Sequence, residues 1–407
     1  MNYNEALLKL KECGQVHVLE YYDQLSDLEK KELLEQIELT DFSVIEQGKN
    51  CATEKKGAIS PLESLELDVI NAKKDQYMSL GMDAIKAGKV AAVLLAGGMG
   101  TRLGSDDPKG MYNIGKTKEV YIFQRIVENL MDVVKLAEKD IYLFVMTSDK
   151  NHTKTVNFFN EHKFFGYKEE YVKFFMQEMA PATDYDGKVY MESKCKISNS
   201  PNGNGGWFSS MRKWGILDIV HKEGIEYLNV FAVDNVLQRI ADPCFVGAVI
   251  EQGVEAGAKV VKKAAPDEKV GVMCLENGKP SVIEYYELTD ELMNTLNDKG
   301  ERVYNFGAIL NYLFEVKALE RIVDNQLPVH IVEKKIPYMS EEGNLIKPET
   351  PNGHKYELLI LDMIHELKNC LPFEVERNKE FAPIKNKTGV DSVESARALL
   401  EENGYVL

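Results

Sequence analysis

A six-residue apolar run followed directly by a glycine-rich loop constrains the fold of this chain more than any other feature. Val90–Leu95 contains only Val, Ala and Leu, which is typical of a strand buried on both faces of a parallel sheet. Gly97, Gly98 and Gly100 follow within the next five positions. Glycines let the backbone approach a ligand closely and turn its N–H groups towards phosphate oxygens. The pattern therefore predicts a phosphate-binding loop at the end of a buried strand.

The spacing of the glycines excludes two common phosphate-binding motifs. A P-loop requires lysine after its last glycine, but Gly104 is followed by Ser105. A dinucleotide fingerprint requires G-x-G-x-x-G, whereas Gly98, Gly100 and Gly104 give G-x-G-x-x-x-G. The chain also contains neither H-E-x-x-H nor G-x-S-x-G, so these two signatures of hydrolases are absent from the sequence.

Two cations lie close to this loop in a chain whose formal net charge is -16. Arg102 lies inside the loop, and Lys109 follows in the segment Pro108–Tyr112. We expect both side chains to contact phosphate, because a guanidinium makes forked, charge-assisted hydrogen bonds to phosphate oxygens. The overall negative charge disfavours nucleic acid and anionic membranes. Small molecules are therefore the expected partners, with no nucleic acid and no membrane.

The sequence also carries signals about the cellular compartment. No apolar run reaches the length of a membrane-spanning helix, and the first residues lack the layout of a signal peptide. The six cysteines show no C-x-x-C spacing, which argues against structural zinc and a disulfide framework. We expect a cytoplasmic protein with reduced thiols at positions 13, 51, 195, 244, 274 and 370.

Strands alternate with helices after residue 89, which predicts a doubly wound α/β sheet with crossover connections. Before this point the chain reads as helical, with a helix N-cap expected at Ser60 and Pro61 in the first turn. The predicted parts are a helical N-terminal segment (1–88), a catalytic domain (89–335) and a C-terminal domain (336–407). The predicted elements are strands at Val90–Leu95, Ile141–Met146 and Tyr227–Val233, and helices at Val120–Lys135 and Asn151–Asn160.

The segments Gly97–Gly104 and Pro108–Tyr112 resemble the signature of the UDP-sugar pyrophosphorylases, most of all the eukaryotic-type UDP-N-acetylglucosamine pyrophosphorylases. Met99 stands where that family has glutamine. The resemblance implies a Rossmann-like, GT-A-like nucleotidyltransferase fold, with a mixed sheet flanked by helices and a small C-terminal α+β domain. It also implies a magnesium-dependent transfer from UTP to N-acetylglucosamine 1-phosphate. The loop residues expected to bind the nucleotide are Ala96, Gly97, Gly98, Gly100 and Thr101.

Further segments match the same family in the same order along the chain. The resemblance implies that Gln177 reads the uracil edge, a task that suits an amide because it both donates and accepts. Pro201–Gly206 is similar to the family loop Pro-Asp-Gly-Asn-Gly-Gly, with Asn202 in place of aspartate. In this loop Gly203 is expected to lie behind the base and Asn204 to face the sugar.

Asp234 follows the third predicted strand, within Val-Asp-Asn, which matches another family motif. A carboxylate at the carboxyl end of a parallel strand lies where α/β sheets bind ligands. Magnesium often takes one or two carboxylates, with phosphates and waters completing its shell. The family motif therefore favours Asp234 as a Mg²⁺ ligand over a simple turn; the sequence identifies no second protein ligand.

The remaining matches concern the sugar and the reacting phosphate. The resemblance implies that Gly271, Glu284 and Asn305 contact the sugar, with Phe306 in place of the family's alanine. It further implies that Lys355, ahead of a predicted helical stretch at Tyr356–Leu367, reaches the α-phosphate of UTP.

Two alternatives remain open from the sequence. The first is the same reaction with glucose or galactose 1-phosphate, because fold analogy does not define the sugar. A non-catalytic regulator that binds UTP or a UDP-sugar is the other possibility. The presence of Arg102, Lys109, Asp234 and Lys355 together argues against the regulator, since a sensor does not need all four.

Overall fold

The computed structural model describes residues 1–51, 57–340 and 342–407. Residues 52–56 of the predicted helical segment lie outside the described residues, as do the side chains of Asn50 and Cys51. The described residues form fifteen α-helices: α1 (Tyr3–Glu12), α2 (Asp27–Leu39), α3 (Ser43–Cys51), α4 (Leu67–Ala72), α5 (Lys74–Lys86), α6 (Ile122–Ala137), α7 (His152–Glu161), α8 (Trp207–Lys213), α9 (Ile216–Lys222), α10 (Pro243–Gln252), α11 (Asp290–Asn294), α12 (Val316–Ile322), α13 (Ile360–Glu366), α14 (Arg377–Glu380) and α15 (Val393–Glu402).

The same residues form eighteen strands, many of them only two to five residues long. They are β1 (Ile59–Ser60), β2 (Val90–Leu95), β3 (Leu143–Thr147), β4 (Val172–Met176), β5 (Met179–Pro181), β6 (Met191–Ser193), β7 (Lys196–Ile197), β8 (Asn199–Pro201), β9 (Tyr227–Ala232), β10 (Ala256–Lys262), β11 (Val272–Glu276), β12 (Lys279–Ile283), β13 (Phe306–Glu315), β14 (His330–Lys334), β15 (Tyr338–Met339), β16 (Leu345–Ile346), β17 (Gly353–Glu357) and β18 (Cys370–Glu374).

The structure confirms the strands and helices predicted around the glycine-rich loop. All six residues of β2 are buried, as the apolar run requires. The predicted neighbours appear as β3, β9, α6 and α7, with ends shifted by one or two residues. The helix start predicted at Ser60 is wrong. Ser60 pairs with Leu275 in the sheet, and the next helix begins only at Leu67.

Contacts divide the chain into two compact units, each built from three separate segments. The first unit contains Met1–Lys55, Gln177–Trp207 and Gln326–Ile360; the second contains Lys56–Met176, Phe208–Asn325 and Leu361–Leu407. The consecutive domains expected from the sequence stay a prediction, because a compact unit defined by contacts is not by itself a folding domain.

The second unit contains a ten-stranded mixed sheet, as expected for the predicted fold class. Strand β2 lies between β9 and β3 and runs parallel to both, and β3 pairs in parallel with β4. Strand β13 pairs antiparallel with β9 on one side and with β10 on the other. Because β9 and β10 are both antiparallel to β13, they run in the same direction. We call the edge where β2, β3, β9 and β10 end the carboxyl edge.

Two helices of the second unit pack with their backbones in direct contact. Helices α5 and α10 meet at Gly81 and Gly247. A Cβ on Gly81 would lie 1.9 Å from the carbonyl oxygen of Pro243, and one on Gly247 would lie 1.8 Å from that of Tyr77. Glycine at both positions is therefore required for this packing.

The first unit is smaller and has its own hydrophobic core. Helices α1 and α2 supply Leu10, Leu33 and Ile37 to this core, and Ser26 begins α2 with a capping box. Four two-stranded sheets complete the described part of the unit: β5 with β8, β6 with β7, β14 with β17, and β15 with β16. In neither unit does any described helix combine the length and apolarity needed to cross a membrane.

Replacing Gly247 by Ala should lower the free energy of unfolding by about 1–3 kcal/mol, because the added methyl forces the two helices apart. Chemical denaturation measures this change. Gly98→Ala is the matched control, since a Cβ at Gly98 meets no atom within 4 Å. Equal stability of the wild type and Gly247→Ala would contradict the close packing of α5 on α10.

Candidate functional site

The glycine-rich loop leaves β2 at the carboxyl edge and folds back on the segment that follows it. The N–H of Gly100 donates to the carbonyl of Asp107 at 2.8 Å, and the N–H of Lys109 donates to the carbonyl of Gly98 at 3.1 Å. These two hydrogen bonds place the cation Lys109 beside the loop. Gly104 ends the loop with a φ of +77°, a conformation that favours glycine.

The N–H groups at the front of the loop are available to a ligand. Within the described residues, the N–H groups of Gly97, Gly98 and Met99 donate to no protein acceptor. Arg102 is exposed and forms no ion pair in the same part of the chain. Free N–H groups beside a free guanidinium are a suitable arrangement for binding a polyphosphate.

Lys109 and Asp234 form an ion pair at this edge. The Nζ of Lys109 lies 3.4 Å from Oδ2 of Asp234, and the two side chains are 16% and 25% exposed. Both keep a solvent-facing surface for a ligand. No group of three or more His, Cys, Asp or Glu side chains with the geometry of a metal site occurs among the described residues. A single carboxylate fits Mg²⁺, which completes its shell with phosphate and water oxygens.

The backbone of Asp234 is fixed by the chain segment before α15. Its carbonyl accepts from the N–H of Ile384 at 2.8 Å. The buried side chain of Asn235 donates to the carbonyl of Glu380 at 2.7 Å and accepts from the N–H of Ala382 at 2.9 Å. These hydrogen bonds hold the Asp234 segment in place.

A buried ion network lies behind this segment. Lys259 is fully buried and donates to Asp242 at 3.0 Å and to Glu380 at 2.5 Å. Burial is the largest single influence and acts to raise the pKa of Asp242, but the charge and hydrogen bond of Lys259, with Arg239 and the N–H of Cys244, together lower that pKa. Because removing one partner of a buried ion pair is costly, the network fixes Glu380 firmly. Sequence reasoning missed these three residues. Lys259 carries a weak signal, a charge within the apolar strand β10, whereas Asp242 and Glu380 carry none.

The three predicted sugar contacts lie at the same end of the sheet. A Cβ on Gly271 would lie 3.4 Å from Oε1 of Glu284, so these two residues are neighbours. The Oδ1 atom of Asn305 is buried and has no hydrogen-bond partner among the described residues. An unpaired buried acceptor is costly, and a ligand hydroxyl would satisfy it. The ring of Phe306 lies 5.6 Å from the ammonium of Lys262, which gives the ring a contact within the protein.

Lys263 is a candidate that sequence reasoning missed. It follows β10 at the carboxyl edge, its side chain is 5% exposed, and its N–H donates to the carbonyl of Asn305 at 2.8 Å. Within the described residues its ammonium forms no ion pair, and burial lowers its pKa. Its position just after a buried strand is the sequence signal that could have identified it as a site residue. A nearby anion would favour its charged form.

In the first unit, the loop Pro201–Gly206 is held against the chain that follows β17. The N–H of Leu358 donates to the carbonyl of Asn202 at 2.6 Å, and the N–H of Gly205 donates to that of Leu358 at 2.8 Å. Gly203 has a φ of +88°, and a Cβ there would lie 2.3 Å from the Leu358 carbonyl oxygen. Only glycine fits this position.

The amides of this unit differ in how they are used. The Oδ1 atom of Asn204 accepts from the N–H of Ile360 at 2.9 Å, so this predicted sugar contact also anchors the loop. Gln177 is 8% exposed, and its side chain makes no hydrogen bond within the described residues. An almost buried amide without a partner is consistent with the expected role in binding the uracil edge.

Lys355 and Tyr356 lie on the strand β17, so the helix start predicted at Tyr356 is wrong. Strand β17 pairs antiparallel with β14, where Lys355 faces Val332, and the helix α13 begins only at Ile360. The pairing extends on the other side through hydrogen bonds between His354 and Thr183. Strand partners that are distant in sequence outweigh the local helical pattern.

The predicted residues thus fall into two sets, each described within its own unit. The second unit holds most of them, and the first unit holds four. The individual roles of these residues in binding stay predictions. In the second unit they are Ala96, Gly97, Gly98, Gly100, Thr101, Arg102, Lys109, Asp234, Gly271, Glu284 and Asn305, and in the first Gln177, Gly203, Asn204 and Lys355.

Known proteins resemble this chain over nearly its whole length. A profile described as UTP–glucose-1-phosphate uridylyltransferase matches residues 41–406. The UDP-N-acetylhexosamine pyrophosphorylase-like protein 1 of Mus musculus is 36% identical over 408 residues, which cover 94% of this chain and 80% of the mouse protein. The UDP-N-acetylglucosamine pyrophosphorylase of Saccharomyces cerevisiae is 37% identical over 420 residues, which cover 95% and 87%.

A solved structure agrees with these relatives. The uridine diphosphate N-acetylglucosamine pyrophosphorylase of Trypanosoma brucei, in complex with an inhibitor, matches with a TM-score of 0.85 at 27% identity. The match covers 98% of this chain and 84% of the trypanosomal chain. The resemblance recognised in the glycine-rich loop is confirmed. This chain is a member of the UTP–glucose-1-phosphate uridylyltransferase family, to which the UDP-sugar pyrophosphorylases belong.

Proposed function

We propose that this protein is a UDP-N-acetylglucosamine pyrophosphorylase. It transfers the uridylyl group of UTP to N-acetylglucosamine 1-phosphate and releases pyrophosphate, in a reversible reaction. The observation that carries this proposal is the Lys109–Asp234 pair beside a loop with free N–H groups, in a chain of this family. The name of the yeast relative supports the choice of sugar.

The reaction needs alignment and charge neutralisation more than proton transfer. An oxygen of the sugar 1-phosphate attacks the α-phosphorus of UTP in line, the bond to the β-phosphate breaks, and pyrophosphate leaves. The attacking phosphate is already ionised at neutral pH, so no general base is required. Both reactants are anions, and fixed cations and N–H groups lower the barrier by binding the developing charge.

The second unit supplies the groups for the triphosphate. The N–H groups of Gly97, Gly98 and Met99 would donate to phosphate oxygens, and Arg102 and Lys109 would neutralise their charge. Asp234 would hold Mg²⁺, which neutralises phosphate charge when bound. Lys263, buried close to Asn305, is a further cation for an anionic substrate.

The remaining predicted contacts divide between base, sugar and reacting phosphate. Gln177 would pair with the uracil edge, and the unpaired Oδ1 of Asn305 would accept from a sugar hydroxyl, with Glu284 beside it. Lys355 would bind the α-phosphate, with its position fixed by strand pairing on both sides of β17.

We also propose the cytosol as the compartment and small molecules as the ligands. The described cysteines at positions 13, 195, 244, 274 and 370 form no disulfide, which suits a reducing compartment. The net charge of -16 disfavours nucleic acid and anionic membranes as partners and so supports small-molecule ligands.

A panel of sugar 1-phosphates tests the reaction and the sugar together. With UTP and Mg²⁺, pyrophosphate release should be fastest with N-acetylglucosamine 1-phosphate and at least about tenfold slower with glucose or galactose 1-phosphate, the discrimination that one lost contact gives. Faster release with glucose 1-phosphate would identify glucose 1-phosphate as the substrate and leave the proposed transfer reaction unchanged. If the protein binds UTP but releases pyrophosphate with none of the sugars, the result would favour the non-catalytic regulator.

Replacing Asp234 by Asn tests the magnesium proposal. Turnover should fall by about 100-fold or more, because the variant loses the charge that holds the metal against the phosphates. Binding of Mn²⁺ in the presence of UTP, followed by electron paramagnetic resonance, should weaken in parallel. Asp149→Asn is the matched control, since Asp149 is an exposed aspartate just after β3. Turnover and Mn²⁺ binding at the wild-type level in Asp234→Asn would overturn the assignment.

A further inference from the structure

Two buried polar residues behind the glycine-rich loop have no part in the proposed chemistry. Ser148 follows β3 directly and Asn151 precedes α7; they are 1% and 0% exposed. The amide of Asn151 donates to the carbonyl of Ala96 at 2.9 Å and approaches that of Gly98 at 3.4 Å. The hydroxyl of Ser148 donates to the carbonyl of Gly97 at 2.9 Å. Three successive loop carbonyls therefore accept from this pair.

These contacts determine where the loop points its N–H groups. A peptide unit is planar and trans, so the N–H of each residue points opposite to the carbonyl of the residue before it. Fixing the carbonyls of Ala96, Gly97 and Gly98 therefore fixes the N–H groups of Gly97, Gly98 and Met99. Those three N–H groups donate to no acceptor among the described residues.

The direction of the Asn151 amide is itself fixed. Its Oδ1 atom accepts from the N–H of Ser148 at 2.8 Å, so its NH₂ group must face the loop. The N–H of Asn151 donates to the carbonyl of Ser148 at 3.0 Å. The two residues thus form a small closed network that is already ordered before a ligand binds.

We propose that Ser148 and Asn151 are positioning residues that orient the N–H groups of Gly97, Gly98 and Met99 towards the phosphates of the nucleotide. This inference rests on the proposed function in one respect, namely that the phosphates are those of UTP. A loop with its donors already aligned loses less conformational entropy on binding, so the network favours the ligand without touching it.

The test uses truncations that change no charge. Ser148→Ala and Asn151→Ala each remove donors to the loop. Thr155→Ala is the matched control, because Thr155 is also buried at the same helix and its hydroxyl has no hydrogen-bond partner among the described residues. The full-length variants are compared without ligand by hydrogen exchange of the amides of Ala96, Gly100 and Lys109, whose N–H groups hydrogen-bond at 2.8, 2.8 and 3.1 Å and hold the loop. Calorimetry gives their affinities for UTP and UMP.

In Ser148→Ala and Asn151→Ala, exchange of these three hydrogen-bonded amides should be faster. The preference for UTP over UMP should shrink by about tenfold, roughly the net worth of one hydrogen bond. Thr155→Ala should match the wild type in both measurements. Equal weakening of UTP and UMP, or unchanged loop exchange in both variants, would overturn the inference. Ser148→Ala removes only one hydroxyl and keeps the test valid if Asn151→Ala does not fold.

Wild-type binding separates this inference from the proposed function. If the wild type does not bind UTP, the proposed function fails, whereas the exchange measurement still reports whether Ser148 and Asn151 order the loop. If the wild type binds UTP and the variants keep its preference for UTP over UMP, only the inference fails.

Discussion

The parallel pairing of β2 with β9 on one side and β3 on the other is the interaction on which the candidate site depends. The three strands end at one edge, so the glycine-rich loop after β2, Asp234 after β9 and Ser148 after β3 lie next to one another. The apolar side chains of β2 are all buried, which fixes the strand in the middle of the sheet. The loop can therefore be rich in glycine, because the strand before it supplies the rigidity.

The groups expected to bind phosphate are supported by other parts of the chain. The segment around Glu380 holds Asn235 and so the backbone of Asp234, and Lys259 fixes Glu380 from the buried side. Ser148 and Asn151 hold the carbonyls of the loop from the opposite direction. In both cases a buried polar network with satisfied hydrogen bonds specifies one backbone conformation.

In the first unit, too, a candidate binding loop is held in one conformation by contacts with another part of the chain. Leu358 closely approaches Gly203, and the side chain of Asn204 accepts from the N–H of Ile360, so the loop is attached to the chain that follows β17. Lys355 lies on that strand. A cation on a paired strand loses less freedom on binding than one on a loop, which suits a residue expected to meet a phosphate.

The buried strand β2, the loop after it, the family and the candidate contacts were predictable from the sequence, because these depend on local composition and on spacing. The sequence also placed the strands and helices from residue 90 to residue 160 within one or two residues. It failed at Ser60 and Tyr356, where pairing with distant strands decides the conformation. Only the tertiary structure revealed Lys259, Lys263 and Asn151, because their roles arise from burial beside residues that are far away in the sequence.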